Sequence, residues 1–451
     1  MASNIKVMTE GKPLKLIFSF ALPLMIGNVF QQLYTVVDTM VVGQILGVNA
    51  LAALGAADWL NWMILGIIQG FSQGFSILMA QEFGAGNIKR LKKVVGNSLG
   101  LAAVSAVLLL IAGQLIIHPV LGLLRTPEAI AGQSQLYLRI IFAGIPIVMA
   151  YNLLASILRA LGDGKTPLHA MIVAAIINIV LDILFVLPFG WGIAGAAAAT
   201  VIAQLCSSIY CFVHIRKIEI LNLSREDYRW EKELDKKLVL LGLPMAFQNA
   251  VISIGGMIVQ SVVNGFGVIF IAGFTATNKL YGVLEIAATS YGYAMVTYVG
   301  QNLGAGKVER IRKGMKAAVL MGMATAAVIA AGMLVFGHQI LGCFISGEPE
   351  ETRLTMQIAY YYLAVMSIFL PILYILHVVR SALQGMGNTV LPMVSGIAEF
   401  VMRTGTAILL PLLIGETGIF YAEILAWGGA DLILIPSYFI AMKKWQTLKG
   451  A

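Results

Sequence analysis

Long apolar runs alternate along this chain with short polar segments where the charges collect. The residues between Lys15 and Thr35, and those from Gly100 to Ile117, contain no charged side chain. Such runs match the roughly 20 residues that a helix needs to cross a hydrocarbon core about 30 Å thick. They do not alternate apolar and polar residue by residue, as β-barrel strands would. Breaking the chain at charges, glycines and prolines gives twelve expected spans: 14–42, 51–80, 94–117, 134–158, 167–188, 192–215, 237–263, 269–299, 315–337, 355–380, 391–412 and 417–441. The expected fold is all-α, a polytopic membrane protein with twelve transmembrane helices in two six-helix bundles of like orientation. Several runs exceed the hydrocarbon thickness, so tilt or extension into the cytoplasm is expected.

Basic residues set the orientation, because Lys and Arg are retained on the cytoplasmic side. With a cytoplasmic amino terminus, the inner segments hold 25 of the 30 basic residues, Arg380 among them. The outer loops hold Arg125 and Arg353, while Arg139, Lys279 and Arg403 fall within spans. A different number of spans would scramble this alternation. Both termini are therefore expected in the cytoplasm, with the chain in the inner (plasma) membrane.

The chain also repeats itself. Gln81-Glu82-Phe83-Gly84-Ala85-Gly86 returns as Gln301-Asn302-Leu303-Gly304-Ala305-Gly306, an offset of 220. Pro23 returns as Pro244, and the pair Pro146 and Pro167 as Pro371 and Pro392, at offsets of 221 and 225. Six spans bring the chain back to its starting side, so the halves share an orientation. The expected division is a first half at 1–215, a cytoplasmic linker at 216–237 and a second half at 238–451. Two like halves suit alternating access by rocking.

Composition agrees: 59% of residues are hydrophobic and 12% charged. A soluble domain carries about twice that share of charge. The net charge of +8 is spread over many short loops with no basic stripe, so no nucleic-acid partner is expected. Cys206, Cys211 and Cys343 have no metal-ligand spacing and read as small buried hydrophobes. The first apolar run is too long for a signal peptide and reads as an uncleaved span. No His-Glu-x-x-His motif occurs, and no enzyme or cofactor is expected. The five histidines are scattered singly and read as interface or loop residues. Gln-x-x-Gly-Ala-Gly precedes no Lys-Ser/Thr, so it reads as a tight turn between helices and not a phosphate loop.

Ionisable groups inside a bilayer are costly and usually functional. Asp38, Asp182, Lys279, Glu285, Glu399 and Arg403 stand out, with Asp431 and Arg139 behind them. Asn178 and Asp182 are four apart and share one helix face. With Asp38 and Thr200 they make a hard-oxygen set suited to Na⁺ or a proton; spans 2, 3, 5 and 6 contain no Lys or Arg to neutralise it, and span 1 has only Lys15 at its cytoplasmic end. The second half lacks this set. At the repeat offsets Val259 stands for Asp38, Arg403 for Asn178 and Ala407 for Asp182. Glu399 and Arg403, also four apart, are expected to form an ion pair or a network with Lys279 or Glu285.

These features resemble the multidrug and toxic compound extrusion (MATE) family across essentially the whole chain. The residues that carry the resemblance are Gln31-Gln32-Leu33-Tyr34-Thr35-Val36-Val37-Asp38 with Gly43, Arg159-Ala160-Leu161-Gly162-Asp163-Gly164, and the two Gly-Ala-Gly turns. The resemblance implies a bacterial exporter of organic cations and other amphiphiles in exchange for Na⁺ or H⁺. It also implies a first-half cation site at Asp38, Asn178, Asp182 and Thr200, where Na⁺ would bind if it is the coupling ion. One branch of the family also uses acids in spans 7 and 10. Here span 7 offers Gln248 and span 10 no acid, which points to coupling through the first half. Substrate contacts are expected from Tyr34, Gln248, Lys279, Glu285, Glu399 and Arg403. The expected partners are a small amphiphile and membrane lipid, and the expected state is a monomer. The rival expectation is a lipid-linked oligosaccharide flippase of the same superfamily, which would need a strongly cationic cavity.

Overall fold

The structure is a computed structural model that describes residues 4–123, 126–345 and 349–450. Arg125, counted above among the outer-loop residues, lies outside them. Among the described residues there are fourteen α-helices and no strand. In the first half these are α1 (Pro13–Val41), α2 (Val48–Gly84), α3 (Ile88–Leu123), α4 (Glu128–Ala143), α5 (Ile145–Ala160), α6 (Lys165–Val186) and α7 (Gly192–Ile215). In the second they are α8 (Lys232–Val263), α9 (Val268–Gly304), α10 (Val308–Gly342), α11 (Pro349–Ile368), α12 (Leu370–Gly385), α13 (Val390–Ile414) and α14 (Ala422–Gly450).

Fourteen helices make twelve spans. Nine described helical segments are long and apolar enough to cross a membrane alone. The pairs α4–α5 and α11–α12 are each one span bent by 48°. The 37-residue α9, which carries Lys279 and Glu285, is the twelfth. The two bends share a cause: Pro146 and Pro371 sit in the first turn of α5 and α12. A proline ring has no N–H and clashes with the preceding turn, so the helix restarts there at an angle.

Helix boundaries follow the repeat. Both α2 and α9 have 37 residues and start 220 apart, while α5 and α12 both have 16 and start 225 apart. Each Gly-Ala-Gly turn ends on a left-handed glycine, Gly86 at φ 71° and Gly306 at φ 68°. A side chain there would be strained, and the turn reverses the chain within three residues.

Packing sorts the chain into two units. One takes the residues before Glu10 together with Leu22–Ala250, the other Glu10–Ala21 together with Val251 onward. Within the first, α6 lies along α7 and α5 packs on α2 and α7. The shared face of α7 is made of small residues, with Gly195, Ala196, Ala199 and Ala203 buried. Small residues let helix backbones approach closely where no hydrophobic effect drives them together. In the second unit α13 lies along α14, and α12 packs on α9 and α14. Leu108 and Leu115 on α3 and Val328 and Val335 on α10 are exposed, as lipid-facing side chains should be.

Segment 216–237 is not all connection. After two short 3₁₀ turns at Glu219–Leu221 and Arg225–Tyr228, α8 already begins at Lys232. Asn97 on α3 donates to the Asp227 and Arg229 carbonyls at 3.4 and 3.3 Å. Lys93 pairs with Glu231 at 3.0 Å.

Candidate functional site

Two clusters of polar side chains lie within otherwise apolar helices, one in each unit. In the first, Asp38 comes from α1, Asn178 and Asp182 from α6, and Thr200 from α7. All four residues expected from the sequence are together. Asn178 reaches the Thr200 hydroxyl at 3.4 Å. Asp38 and Asp182 act on each other directly. Asp38, Asn178 and Asp182 expose 8%, 1% and 0% of their surface. Asp38 Oδ1, Asn178 Oδ1 and both Asp182 oxygens have no protein hydrogen-bond partner among the described residues.

Such a state is expensive, because buried polar atoms are nearly always hydrogen-bonded and a buried carboxylate needs a compensating positive charge. Neither aspartate forms an ion pair among the described residues. The arrangement therefore offers convergent oxygens to a small cation or a proton. A π-helical turn, Val42–Leu46, follows Asp38 by one turn, and π-turns recur at functional sites.

Three further side chains surround these four. Tyr34 lies one turn before Asp38, half-buried, within reach of Gln31 and Gln204. Asp58 on α2 acts on Asp38, and Tyr137 on α4 senses Asp38, Asp58 and Asp182. Sequence reasoning passed over Asp58, although it is the only charge between 51 and 80 and meets the criterion that picks out Asp38. Tyr137 and Gln204 carry no comparable signal. Gln248, expected near the substrate, is buried on α8.

The second cluster is a chain of ion pairs. Arg380 on α12 reaches Glu399 on α13 at 2.6 Å, and Glu399 holds Arg403 at 2.9 Å. Arg403 in turn holds Glu423 on α14 at 2.7 Å and donates to the Ile252 carbonyl of α8 at 3.3 Å. The expected Glu399–Arg403 pair is present. Glu285 is not paired with it: its Oε1 lies 3.2 Å from His377 Nε2. Lys279 is exposed and forms no ion pair among the described residues. Asp431 on α14 lies within electrostatic reach of Arg380 and Glu399.

Arg380 and His377 correct the sequence reading. Arg380, assigned to a cytoplasmic segment, is buried inside α12, which runs on to Gly385. His377, read as an interface or loop residue, sits three residues before it on the same helix. Glu423 was not singled out at all, because it lies near the start of its span. The signal missed was a set of opposite charges, on three neighbouring spans, able to neutralise one another.

A sequence model of the MatE family matches residues 23–184 and, separately, 244–409. The chain belongs to the MatE family. The double match falls on the two repeats, so each half resembles the family unit. This MatE chain is 30% identical over 422 residues to the probable multidrug resistance protein YpnP of Bacillus subtilis, covering 91% of both. It is 32% identical over 337 residues to YoeA, another probable multidrug resistance protein of that organism, covering 73% of both. A solved outward-facing multidrug resistance MATE family transporter of the MOP superfamily superposes with a TM-score of 0.90 at 22% identity, covering 99% of both chains. That likeness establishes the twelve-helix transporter fold.

Proposed function

We propose that this protein is a cation-coupled antiporter that exports organic, mostly cationic amphiphiles from the cell. Two of its relatives are named probable multidrug resistance proteins, and a more distant one, MepA of Staphylococcus saprophyticus, a multidrug export protein. The observation that carries the coupling is the first cluster: Asp38 Oδ1 and both Asp182 oxygens, buried with neither ion-pair nor hydrogen-bond partners among the described residues. An inward-moving Na⁺ or H⁺ neutralises that charge and favours the arrangement in which it is bound. A cationic substrate favours the other. A ligand shifts such an equilibrium only by its difference in affinity for the two states, and loss of the acidic charge removes that difference.

The amino and carboxyl termini face the cytoplasm in this reading, which the basic asymmetry supports. The flippase reading needs free cationic groups to hold a pyrophosphate. Arg380 and Arg403 are instead taken up by Glu399 and Glu423, and nothing favours it.

Everted membrane vesicles test the proposal. Uptake of a cationic dye should follow an imposed Na⁺ gradient or an imposed pH gradient, each set separately. Uptake that follows neither gradient refutes coupling.

A further inference from the structure

The first turns of α3 carry a clamp for the segment that connects the two halves. Lys89, Lys93 and Asn97 fall on one face of that helix, with Lys92, Gly96 and Gly100 beside them. Across this face runs the chain from Asp227 to Trp230, whose Asp227 and Arg229 carbonyls accept from Asn97. A Cβ at Gly96 would collide with the Asp227 carbonyl, and one at Gly100 would come within 3.1 Å of the Trp230 ring. The segment is thus fixed on α3, with the Trp230 ring one helical turn farther into the span than the Asp227 carbonyl. Held there, Tyr228 and Trp230 are still 50% and 57% exposed. Such rings beside the end of a span are the side chains of a membrane–water interface.

The charges around these rings do not cancel. Of the three acids in 224–232, Asp227 accepts from the Ser224 N–H and hydroxyl at 2.7 and 2.8 Å, and Glu231 pairs with Lys93 at 3.0 Å. Arg90 is likewise paired with Glu82 at 3.1 Å. Glu226 remains, exposed, against Lys89, Lys92, Arg225, Arg229 and Lys232, none of which forms an ion pair among the described residues. Glu233 and Asp235 lie farther along, in the first turn of α8, where the helix dipole favours acids. A surplus of cations beside exposed aromatic rings at the end of a span is the chemistry that holds an anionic phospholipid. A nucleic acid or an acidic protein would meet the cations from water and leave the two rings without a partner.

We propose that the clamped segment 225–232, with Lys89 and Lys92 of α3, is a binding surface for an anionic phospholipid of the leaflet at that end of the span. Arg225 and Arg229 meet the headgroup phosphate, whose oxygens match the guanidinium fork. Tyr228 and Trp230 rest against the glycerol and the upper acyl chain. The occupant is a lipid and not a free phosphate, because the rings need an apolar partner at the level of the span. Binding holds the connection between the two halves at the bilayer surface.

The experiment titrates phosphatidylglycerol, and separately phosphatidylcholine of the same chain length, into the purified full-length protein in detergent micelles, with occupancy read by native mass spectrometry. The wild type should take phosphatidylglycerol more tightly by about tenfold or more. Arg225→Gln with Arg229→Gln should weaken that binding by roughly 25-fold, about fivefold for each charge, while Arg225→Lys with Arg229→Lys keeps most of it. Lys443→Gln with Lys444→Gln removes two exposed cations from α14 and should bind as the wild type does. Equal affinity of the wild type for the two lipids overturns the proposal. So does an equal loss in the α14 variant, which would report net charge and not a site, or in the lysine variant, which would report a damaged clamp. Displacement of the lipid by glycerol 3-phosphate at equal concentration also overturns it, because a free anion needs no rings.

Discussion

Glu399 is the residue whose loss the second unit should tolerate least. Its carboxylate, 3% exposed, accepts from Arg380 on a neighbouring helix and from Arg403 one turn along its own. With Glu423 these four make a neutral quartet of two cations and two anions. Glu399→Gln keeps the shape but leaves the quartet with one excess positive charge in a dry surround. Removing one partner of a buried pair costs about 3–5 kcal/mol, mostly as the penalty of the stranded charge. Arg403→Gln strands Glu423 instead and leaves one excess negative charge. The double variant is neutral again. It should therefore cost no more than the worse of the two single changes, which puts the coupling between them at about 3 kcal/mol or more.

The assay is reversible unfolding in mixed micelles as the fraction of denaturing detergent rises, followed by tryptophan fluorescence. Glu350 and Arg353 supply the control. Their contact is also 2.6 Å, yet their side chains are 72% and 56% exposed. Water screens such a pair, so Glu350→Gln should change stability by less than about 1 kcal/mol. Equal distance with unequal cost isolates burial as the cause. If Glu399→Gln and Arg403→Gln add to within about 0.5 kcal/mol, the quartet is not an energetic unit and the reasoning fails.

Asp38→Asn and Asp182→Asn should each abolish gradient-driven efflux while leaving expression and folding intact. An amide cannot take up the proton, gives Na⁺ no formal charge, and relieves the cost of burying an unpartnered carboxylate. Wild-type efflux by Asp182→Asn under both gradients would falsify the coupling site. Alanine at Asn178 or Thr200 should weaken coupling less than either aspartate change, because each supplies a neutral ligand; dye uptake in vesicles measures it. Gly74→Ala should destabilise by about 1–3 kcal/mol, read as a lower melting temperature, because the added Cβ would come within 2.8 Å of the Leu241 carbonyl and the Gly242 nitrogen. In intact cells, a cysteine at Arg225 should resist an impermeant thiol reagent while one at Glu350 reacts; labelling at Arg225 from outside refutes the orientation.

The hydrocarbon core made the spans legible. A helix in lipid cannot hide many charges, so charge-free runs mark it whatever its packing. The helix ends were not legible in the same way. Both α2 and α9 run to 37 residues, beyond what a bilayer demands, because nothing in water stops a helix until a glycine turn does. The 48° bends also escaped the sequence reading, which treated 134–158 and 355–380 as single straight runs. Pro146 and Pro371 were visible there, but only as markers of the repeat. A proline states where a helix can break, and packing decides whether it does.

The two clusters differ in legibility for a physical reason. A lone carboxylate in a charge-free span is visible in the sequence, which is why Asp38, Asn178, Asp182 and Thr200 could be named before any geometry was known, although the same signal at Asp58 was passed over. A neutralised network hides its members. Arg380 looked like one more basic residue at a span end because its partner, Glu399, is 19 residues away on another helix. Duplication supplied both halves with the same helices at offsets of 220 to 225, and the side chains then diverged. One half keeps Asp38 and Asp182 without an ion pair among the described residues, and buried carboxylates in that state call for a compensating charge or a proton. The other matches Glu399 and Glu423 with arginines and leaves Glu285 beside His377.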